Sequence, residues 1–227
     1  MGLSKATGDM YGWVTHTWNP VGGECPHRCS YCYVRTGRLG GCAKYQGPQR
    51  LIEKEMKTNL GKGNTIFVCS CNDLFAGQLH HDQVMRVLSL PGENVYVFQS
   101  KNPAGMILYE SHFPPNSLLG TTIETNEFIY TGAYSRAPFP VHRAHAMSKI
   151  TLPKFLSIEP IMDFSFLAML QLIRLVNPDF ISIGADSRHC NLPEPSGEKI
   201  RILIENIQKM KIEVRQKKNL DRLLKEA

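Results

Sequence analysis

Short runs in which apolar and polar residues alternate recur along this chain, and between them lie segments whose apolar residues return at helical spacing. Runs rich in β-branched and aromatic residues predict strands near 12–17, 65–71, 94–101, 118–124, 155–161, 180–185 and 211–216. Helices are predicted near 49–59, 81–90, 103–111, 138–148, 164–176 and 197–210. The helix over 164–176 has the best-marked ends, because Asp163 and Ser165 can cap its start while Asn177-Pro178 stops it. The stretch 126–140 is rich in turn formers and is the least determined. Alternation of strands and helices in this manner is that of βα units and a parallel sheet.

Successive strand residues point to opposite faces, so the alternation assigns each strand two sides. Phe67, Cys69, Cys71 and, by extension, Asp73 share one side of the second predicted strand. In the fourth, Gly120, Thr122 and Glu124 oppose Thr121, Ile123 and Thr125. Ser157 and Glu159 oppose Leu156 and Ile158, Ser182, Gly184 and Asp186 oppose Ile181 and Ile183, and Glu213, Arg215 and Lys217 oppose Ile212 and Val214. A complete (β/α)8 barrel fills its interior with bulky branched residues and takes about 250 residues. At 227 residues and with polar inner faces, this chain is better read as an α/β protein with an incomplete barrel of roughly six or seven strands. Its apolar faces would pack on the helices and its polar lumen would take a charged ligand. An ordinary α/β sheet with polar strand ends is the plainer alternative.

No low-complexity tract or Gly/Ser-rich linker divides the chain, so residues 1–227 read as a single domain. Twenty-six Lys and Arg against 20 Asp and Glu give a formal charge of +6, much of it before Arg50 and near the C-terminus. That balance leans toward polyanionic partners, with a solvated basic surface as the competing explanation. No apolar run approaches membrane-spanning length, and the opening Met1-Gly2-Leu3-Ser4-Lys5 has no apolar leader-like region. Together with an odd number of cysteines, seven, this reads as a cytoplasmic protein with reduced thiols.

The chemistry concentrates in Cys25-Pro26-His27-Arg28-Cys29-Ser30-Tyr31-Cys32, a C-x3-C-x2-C run. Three thiolates so spaced suit three irons of a 4Fe-4S cube and leave the fourth iron open to a small molecule. Zinc would ordinarily take four ligands in paired blocks; no second block follows, although His27 or Cys42 could supply a fourth.

This spacing, with aromatic Tyr31 just before the last cysteine, resembles the radical S-adenosylmethionine (radical SAM) superfamily. The resemblance implies a partial TIM barrel of the (β/α)6 type, with the cysteine loop following the first strand. It implies Cys25, Cys29 and Cys32 as cluster ligands, S-adenosylmethionine bound at the open iron, and a reducing electron donor. Cleavage of S-adenosylmethionine would then give a 5'-deoxyadenosyl radical that abstracts hydrogen. The same resemblance puts Tyr31 and Tyr33 near the adenine. Family members commonly carry a Gly-Gly-Glu-like segment at the end of the second strand that touches the methionine amino group. Here Ser70-Cys71-Asn72-Asp73-Leu74-Phe75 departs from it. Asn72 or Asp73 is the candidate substitute, because an amide or carboxylate oxygen is all the contact requires; helix capping is the other role open to them.

Thr122, Glu124, Ser157 and Glu159 stand at strand ends, where they could bind ribose hydroxyls or orient a substrate, or else serve as structural salt bridges and caps. Lys101, Asp186 and Arg215 occupy similar positions. Cys71 could return a hydrogen atom to a substrate radical because its S–H bond is weak, the alternative being a small buried hydrophobe. His80-His81 and His142/His145 read as surface or core histidines.

Thr17-Trp18-Asn19-Pro20, Asn72-Asp73-Leu74-Phe75, Ser157-Ile158-Glu159-Pro160 and Ile181-Ser182-Ile183-Gly184 look like a short, phage-associated radical SAM family. The cysteine loop with its following Tyr33 is also similar to that of the spore photoproduct lyases, which repair a thymine dimer in DNA. The expectation is therefore a radical SAM enzyme acting on a nucleic-acid base or nucleotide, in repair or modification. Modification of a peptide or small metabolite is the alternative within enzymes. A noncatalytic zinc- or cluster-bearing nucleic-acid-binding protein is the alternative outside them, although no recognisable nucleic-acid-binding motif supports it.

Overall fold

A computed structural model describes residues 2–225. Its strands are β1 (Ser4–Lys5), β2 (His16–Trp18), β3 (Val21–Gly22), β4 (Arg50–Leu51), β5 (Thr65–Val68), β6 (Val95–Gln99), β7 (Ser117–Thr122), β8 (Lys154–Ile158), β9 (Phe180–Ile183) and β10 (Glu213–Gln216). Its α-helices are α1 (Tyr33–Thr36), α2 (Glu53–Met56), α3 (His81–Leu88), α4 (Pro103–Ile107), α5 (Phe128–Tyr134), α6 (Pro140–Ser148), α7 (Phe166–Val176), α8 (Gly197–Lys209) and α9 (Asp221–Lys225). Eight strands form one sheet in the order β1-β2-β5-β6-β7-β8-β9-β10. Only β1 is antiparallel to its neighbour; all later pairings are parallel. No pairing joins β10 back to β1 among the described residues, so the fold is the incomplete (β/α) barrel, a partial TIM barrel, that the strand faces predicted.

The outward faces behave as the alternation requires. Ile66, Val68, Tyr96, Phe98, Leu119, Leu156, Ile158, Ile181 and Ile183 are buried in the main core against Val84, Val87, Met147, Ile173 and Leu203 of the helices. Helix α7 stops where Asn177 turns into the left-handed region at φ 48°, ahead of Pro178. Ser165 takes its N-cap position, but the hydroxyl goes to Glu127 Oε1 at 2.6 Å instead of capping.

The inward faces are not polar throughout, and here the sequence expectation needs correction. Phe67, Val97, Phe155 and Phe180 form a second buried cluster with Tyr11 and Val14. Tyr11 stacks on Trp13 at 5.1 Å and Phe155 on Phe180 at 5.4 Å. The Arg215 guanidinium lies 3.5 Å from the Phe180 ring centre. Residues 11–15 thus form a turn that plugs the N-terminal end of the barrel, and the strand predicted over 12–17 begins only at His16. Gly120 belongs to this packing, since a Cβ there would sit 2.2 Å from the Phe155 ring.

Three further elements differ. Strand β5 ends at Val68, because Cys69 adopts φ 60° and packs into the outer core. Cys71 and Asp73 therefore lie in the following loop and do not continue the face of Phe67. The helix predicted over 49–59 shrinks to α2, because Arg50 and Leu51 pair with Val21 and Gly22 as a separate two-stranded ribbon. The undetermined stretch 126–140 supplies α5. Among the described residues, no helix is long and apolar enough to cross a membrane.

Candidate active site

The cysteine loop leaves the C-terminal end of β2 and is tied at its base to the loop after β5. Asn19 Oδ1 accepts from the Cys71 backbone N–H at 2.9 Å and from Ser70 Oγ at 3.2 Å. Gly23, at φ 88°, passes so close to Pro48 that a Cβ would meet its carbonyl oxygen at 2.1 Å; only glycine fits this crossing. The loop then makes two tight turns, with Arg28 N donating to Cys25 O and Cys32 N to Cys29 O, each at 3.2 Å. Helix α5 and its exit form its wall. Ser30 N donates to Tyr134 O at 2.9 Å, Arg136 N to His27 O at 2.7 Å, and Ser135 Oγ lies 3.2 Å from Cys29 Sγ.

All seven cysteines are free thiols, with Cys29 buried and Cys25 and Cys32 half-buried. Burial, then the Asp73 carboxylate and the neighbouring sulfurs, pushes the Cys25 thiol up to about 12. Burial also raises Cys32. Among the described residues, no three His, Cys, Asp or Glu side chains converge as ligands of one metal ion.

Asp73 is buried beneath the loop and its carboxylate is fully engaged. His27 Nε2 lies 2.8 Å from Oδ2, Ser100 Oγ donates at 2.8 Å, and the backbone N–H groups of Lys101 and Phe75 donate at 2.8 and 2.9 Å. Burial alone would raise this carboxyl, but the His27, Ser100 and Lys101 contacts outweigh it and hold it below the ordinary range. Asn72 Oδ1 accepts from Gln49 Nε2 at 2.6 Å, and its Nδ2 donates to Gly23 O at 2.9 Å. Both residues therefore join the post-β5 loop to the cysteine loop.

Above the aromatic plug, the inner faces turn polar. Thr122 Oγ1 accepts from Gln99 Nε2 at 2.9 Å, and Tyr11 Oη bridges Gln99 Oε1 and Ser157 Oγ, both at 2.8 Å. One step higher stands Glu124, buried and gripped from three sides. Tyr31 Oη donates to Oε1 at 2.5 Å, Lys101 Nζ meets the same oxygen, and Arg143 Nη1 donates to Oε2 at 2.7 Å. Arg143 also donates to Thr122 O at 2.6 Å and Pro138 O at 2.7 Å. Two cations thus face one carboxylate, leaving an excess positive charge beside Cys29. Burial brings Lys101 down to about 8, against the opposing pull of the Cys29 sulfur. Just after β8, Glu159 pairs with Lys217 Nζ at 2.6 Å, and burial raises its carboxyl. A Cβ on Gly184 would meet Glu159 Cδ at 2.9 Å, so glycine makes room for that side chain.

Tyr33, at the start of α1, donates from Oη to Ser70 O at 2.7 Å and lies 3.2 Å from Cys71 Sγ. The structure so brings Tyr31, Glu124 and Thr122 into one group, Tyr33 and Cys71 into a second, and Asn72 with Asp73 into a third, all against the cysteine loop or the barrel mouth. Ser157 stands on the adjacent strand in register with Thr122, and Glu159 follows it against Lys217. Arg143 and Gln49 escaped sequence reasoning, while Lys217 was placed on a polar strand face and Asn19 in a family-like segment with no role assigned to either. The one available sign was an arginine on the apolar side of a helix, with Pro140, Ala144 and Met147 as its companions.

These features describe a partial α/β barrel whose C-terminal end is capped by a three-cysteine loop. Solved structures of spore photoproduct lyase share this fold. A cysteine-to-alanine mutant matches with a TM-score of 0.60 at 10% identity, over 95% of this chain and 80% of the lyase. A double mutant with bound AdoMet and dinucleoside spore photoproduct matches with a TM-score of 0.54 at 10% identity, over 92% of this chain. This chain covers 66% of the length of that lyase. Residues 10–193 match the family model described as "Protein of unknown function (DUF5131)", and the chain belongs to that family. No curated protein gives a significant sequence match.

Proposed function

We propose that this chain, as one unit over 1–227, is a radical SAM enzyme acting on a nucleic-acid base or nucleotide, in repair or modification. The observation that carries the reading is the trio of free cysteines on one loop at the barrel mouth, beside a buried site with excess positive charge. The residues fit a cluster better than a single ion. Structural zinc ordinarily takes four ligands in paired blocks and no second block follows this loop, whereas a cubane takes three thiolates on three irons. Cys25, Cys29 and Cys32 would hold it. The raised Cys25 and Cys32 thiols mean that loading releases protons, and the Lys101–Arg143 pair offsets the resulting anionic charge. A 4Fe-4S cluster with S-adenosylmethionine and a reducing electron donor would supply a 5'-deoxyadenosyl radical.

The chain's own residues hold the reactants around it. Tyr31, Lys101 and Arg143 fix Glu124 at the mouth, where it and Thr122 can accept from ribose hydroxyls. Ser157 and Glu159 present acceptors from the adjacent strand β8 and its end. Asn72 and Asp73 keep the base of the cysteine loop in register, Asn72 through Gly23 O and Asp73 through His27. Cys71, in contact with Tyr33, is the candidate hydrogen donor. A nucleic-acid substrate is supported by the +6 charge and by a fold shared with a lyase that binds a dinucleoside.

Anaerobic reconstitution followed by assay for 5'-deoxyadenosine with single-stranded DNA, duplex DNA, RNA, nucleotides and peptide pools tests both parts. Turnover is expected with a nucleic-acid substrate, and binding should weaken as salt rises. No 5'-deoxyadenosine with a fully loaded cluster would sink the enzyme class. Turnover confined to peptides or metabolites would sink the substrate alone.

A further inference from the structure

Asp73 is 6% exposed, and among the described residues its one ion-pair partner is His27. Its other contacts are neutral donors. Ser100 Oγ reaches both carboxylate oxygens, at 2.8 and 3.0 Å, and the backbone N–H groups of Phe75 and Lys101 complete the set. The cations closest to the loop are taken up by another carboxylate, since Lys101 and Arg143 both pair with Glu124. Burying a charge costs stability unless its surroundings are arranged for it. Here the donors converge on the carboxylate and keep it ionised.

The position of this anion ties it to the cysteines. His27 stands two residues after Cys25 and two before Cys29. It is itself 5% exposed and lies 2.8 Å from Asp73 Oδ2; an ionised carboxylate only accepts, so Nε2 is the donor. After burial, the Asp73 carboxylate is the strongest influence raising the Cys25 thiol, and it acts in the same sense on Cys69. A group that opposes negative charge on the Cys25 sulfur also opposes an electron added to the iron that this sulfur holds.

We propose that the buried Asp73 carboxylate, held against the loop through His27, lowers the reduction potential of the cluster carried by Cys25, Cys29 and Cys32. The redox step is the gain of one electron from the reducing donor, and no bond or proton of Asp73 changes in it. Net charge and hydrogen bonding around an iron–sulfur cluster are levers by which a protein sets its potential, and a fixed charge in dry surroundings acts with little screening. A lower potential makes the reduced cluster the stronger electron donor to the sulfonium of S-adenosylmethionine. The inference rests on the cluster part of the proposed function and is independent of the substrate. It also goes beyond tying the loop, which a neutral side chain of the same shape could do.

The test is a redox titration of the anaerobically reconstituted full chain, without S-adenosylmethionine and at a fixed pH. Visible absorbance and the electron paramagnetic resonance of the reduced cluster read the midpoint potential. Asp73→Asn keeps the shape and removes the charge, so the midpoint should move to a less negative value at equal iron content. Ser100→Ala should move it to a more negative value, because a hydroxyl that offsets the charge is lost while the charge stays. Loosening of the loop would admit water to the cluster and shift both variants in one direction, so opposite signs mark the charge itself. Ser100→Ala carries the test alone if Asp73→Asn does not fold or load iron. An unmoved or less negative midpoint in Ser100→Ala, or an unmoved or more negative one in Asp73→Asn, would overturn the role of Asp73 and leave the cluster assignment standing. A native chain that loads no redox-active cluster on the three cysteines would overturn both, and the radical reading with them.

Discussion

At the N-terminal end of the sheet the inward residues are Phe67, Val97, Phe155 and Phe180, closed from below by Tyr11 and Trp13. Further along the same strands they are Gln99, Thr122, Ser157 and Ser182, with Lys101, Glu124, Glu159 and Lys217 beyond them. In the first region burial is favourable by itself, and aromatic contacts add about 0.5–1.5 kcal/mol per pair beyond the area they cover. In the second, burial costs stability unless each group finds a partner. Each of these four charges has found one, Glu124 with Lys101 and Arg143, and Glu159 with Lys217. The plug is thus a rigid floor, and the charged mouth above it is held in one arrangement by groups that cannot relax into water. The cysteine loop is anchored to the second region through Tyr31 and Glu124.

The largest effect expected is functional and confined to the mouth. Cys25→Ala, Cys29→Ala or Cys32→Ala should each abolish cluster-dependent formation of 5'-deoxyadenosine while far-ultraviolet circular dichroism stays native. Iron content, product assay and the spectrum together check this. Retained activity in all three variants would break the assignment of the loop.

Next come two substitutions of similar size and opposite origin. Phe155→Ala should cost about 3–5 kcal/mol by leaving a cavity in the plug. Glu124→Ala should cost about 3–5 kcal/mol by stranding two buried cations. Phe155 and Glu124 share no partner, so the double variant should be additive within about 0.5 kcal/mol in urea denaturation. A larger coupling would mean that floor and mouth are one unit. Gly120→Ala sharpens the same comparison, because its Cβ is directed at the Phe155 ring and overpacking should cost about 1–3 kcal/mol.

A smaller effect separates the carboxylates by sign. Asp73 titrates below its ordinary 3.8 in the folded chain, so its contribution is present above that pH and is lost as pH falls through the folded value. Asp73→Asn should lower stability at pH 7 by about 1–3 kcal/mol and flatten the acid limb below about pH 4. Glu159 is raised above 4.5, so its contribution is fully present below 4.5 and is lost as pH rises through the folded value. Glu159→Gln should remove that loss. Urea denaturation across pH 3–7 reads both, and the same sign for the two would contradict the burial and hydrogen-bond assignments.

Period-two alternation was enough to place the seven parallel strands and to put Thr122, Glu124, Ser157 and Glu159 on inner faces, because one-sided burial leaves a strong local signal. The cysteine spacing was equally local. The plug was not legible, since Tyr11 and Trp13 reach Phe155 and Phe180 across most of the chain and nothing near residue 12 distinguishes a turn under a barrel from a strand in it. The early end of β5 at Cys69 was hidden for the opposite reason: a continuing alternation of residue types masked one backbone turn at positive φ. His27 was readable as a metal ligand, yet it faces Asp73, 46 positions away. Arg143 became a partner of Glu124 only once α6 was laid against β7.

The smallest effect on stability is expected at Tyr33, and it bears most directly on the hydrogen donor. Tyr33 is exposed, and its hydroxyl makes one bond to Ser70 O and one contact with Cys71 Sγ. Tyr33→Phe removes both without opening a cavity, so stability should change by about 1 kcal/mol or less. If Cys71 returns the hydrogen atom in the proposed reaction, its exchangeable S–H becomes S–D in heavy water, and the native protein should place solvent deuterium in the product. Cys71→Ala should remove that label, whereas Tyr33→Phe should keep it at a reduced turnover, because the thiol stays in place but loses the hydroxyl that orients it. Mass analysis of product formed in heavy water decides between the outcomes. Undiminished label from Cys71→Ala would reduce Cys71 to a packing residue and leave the three-cysteine loop assignment untouched.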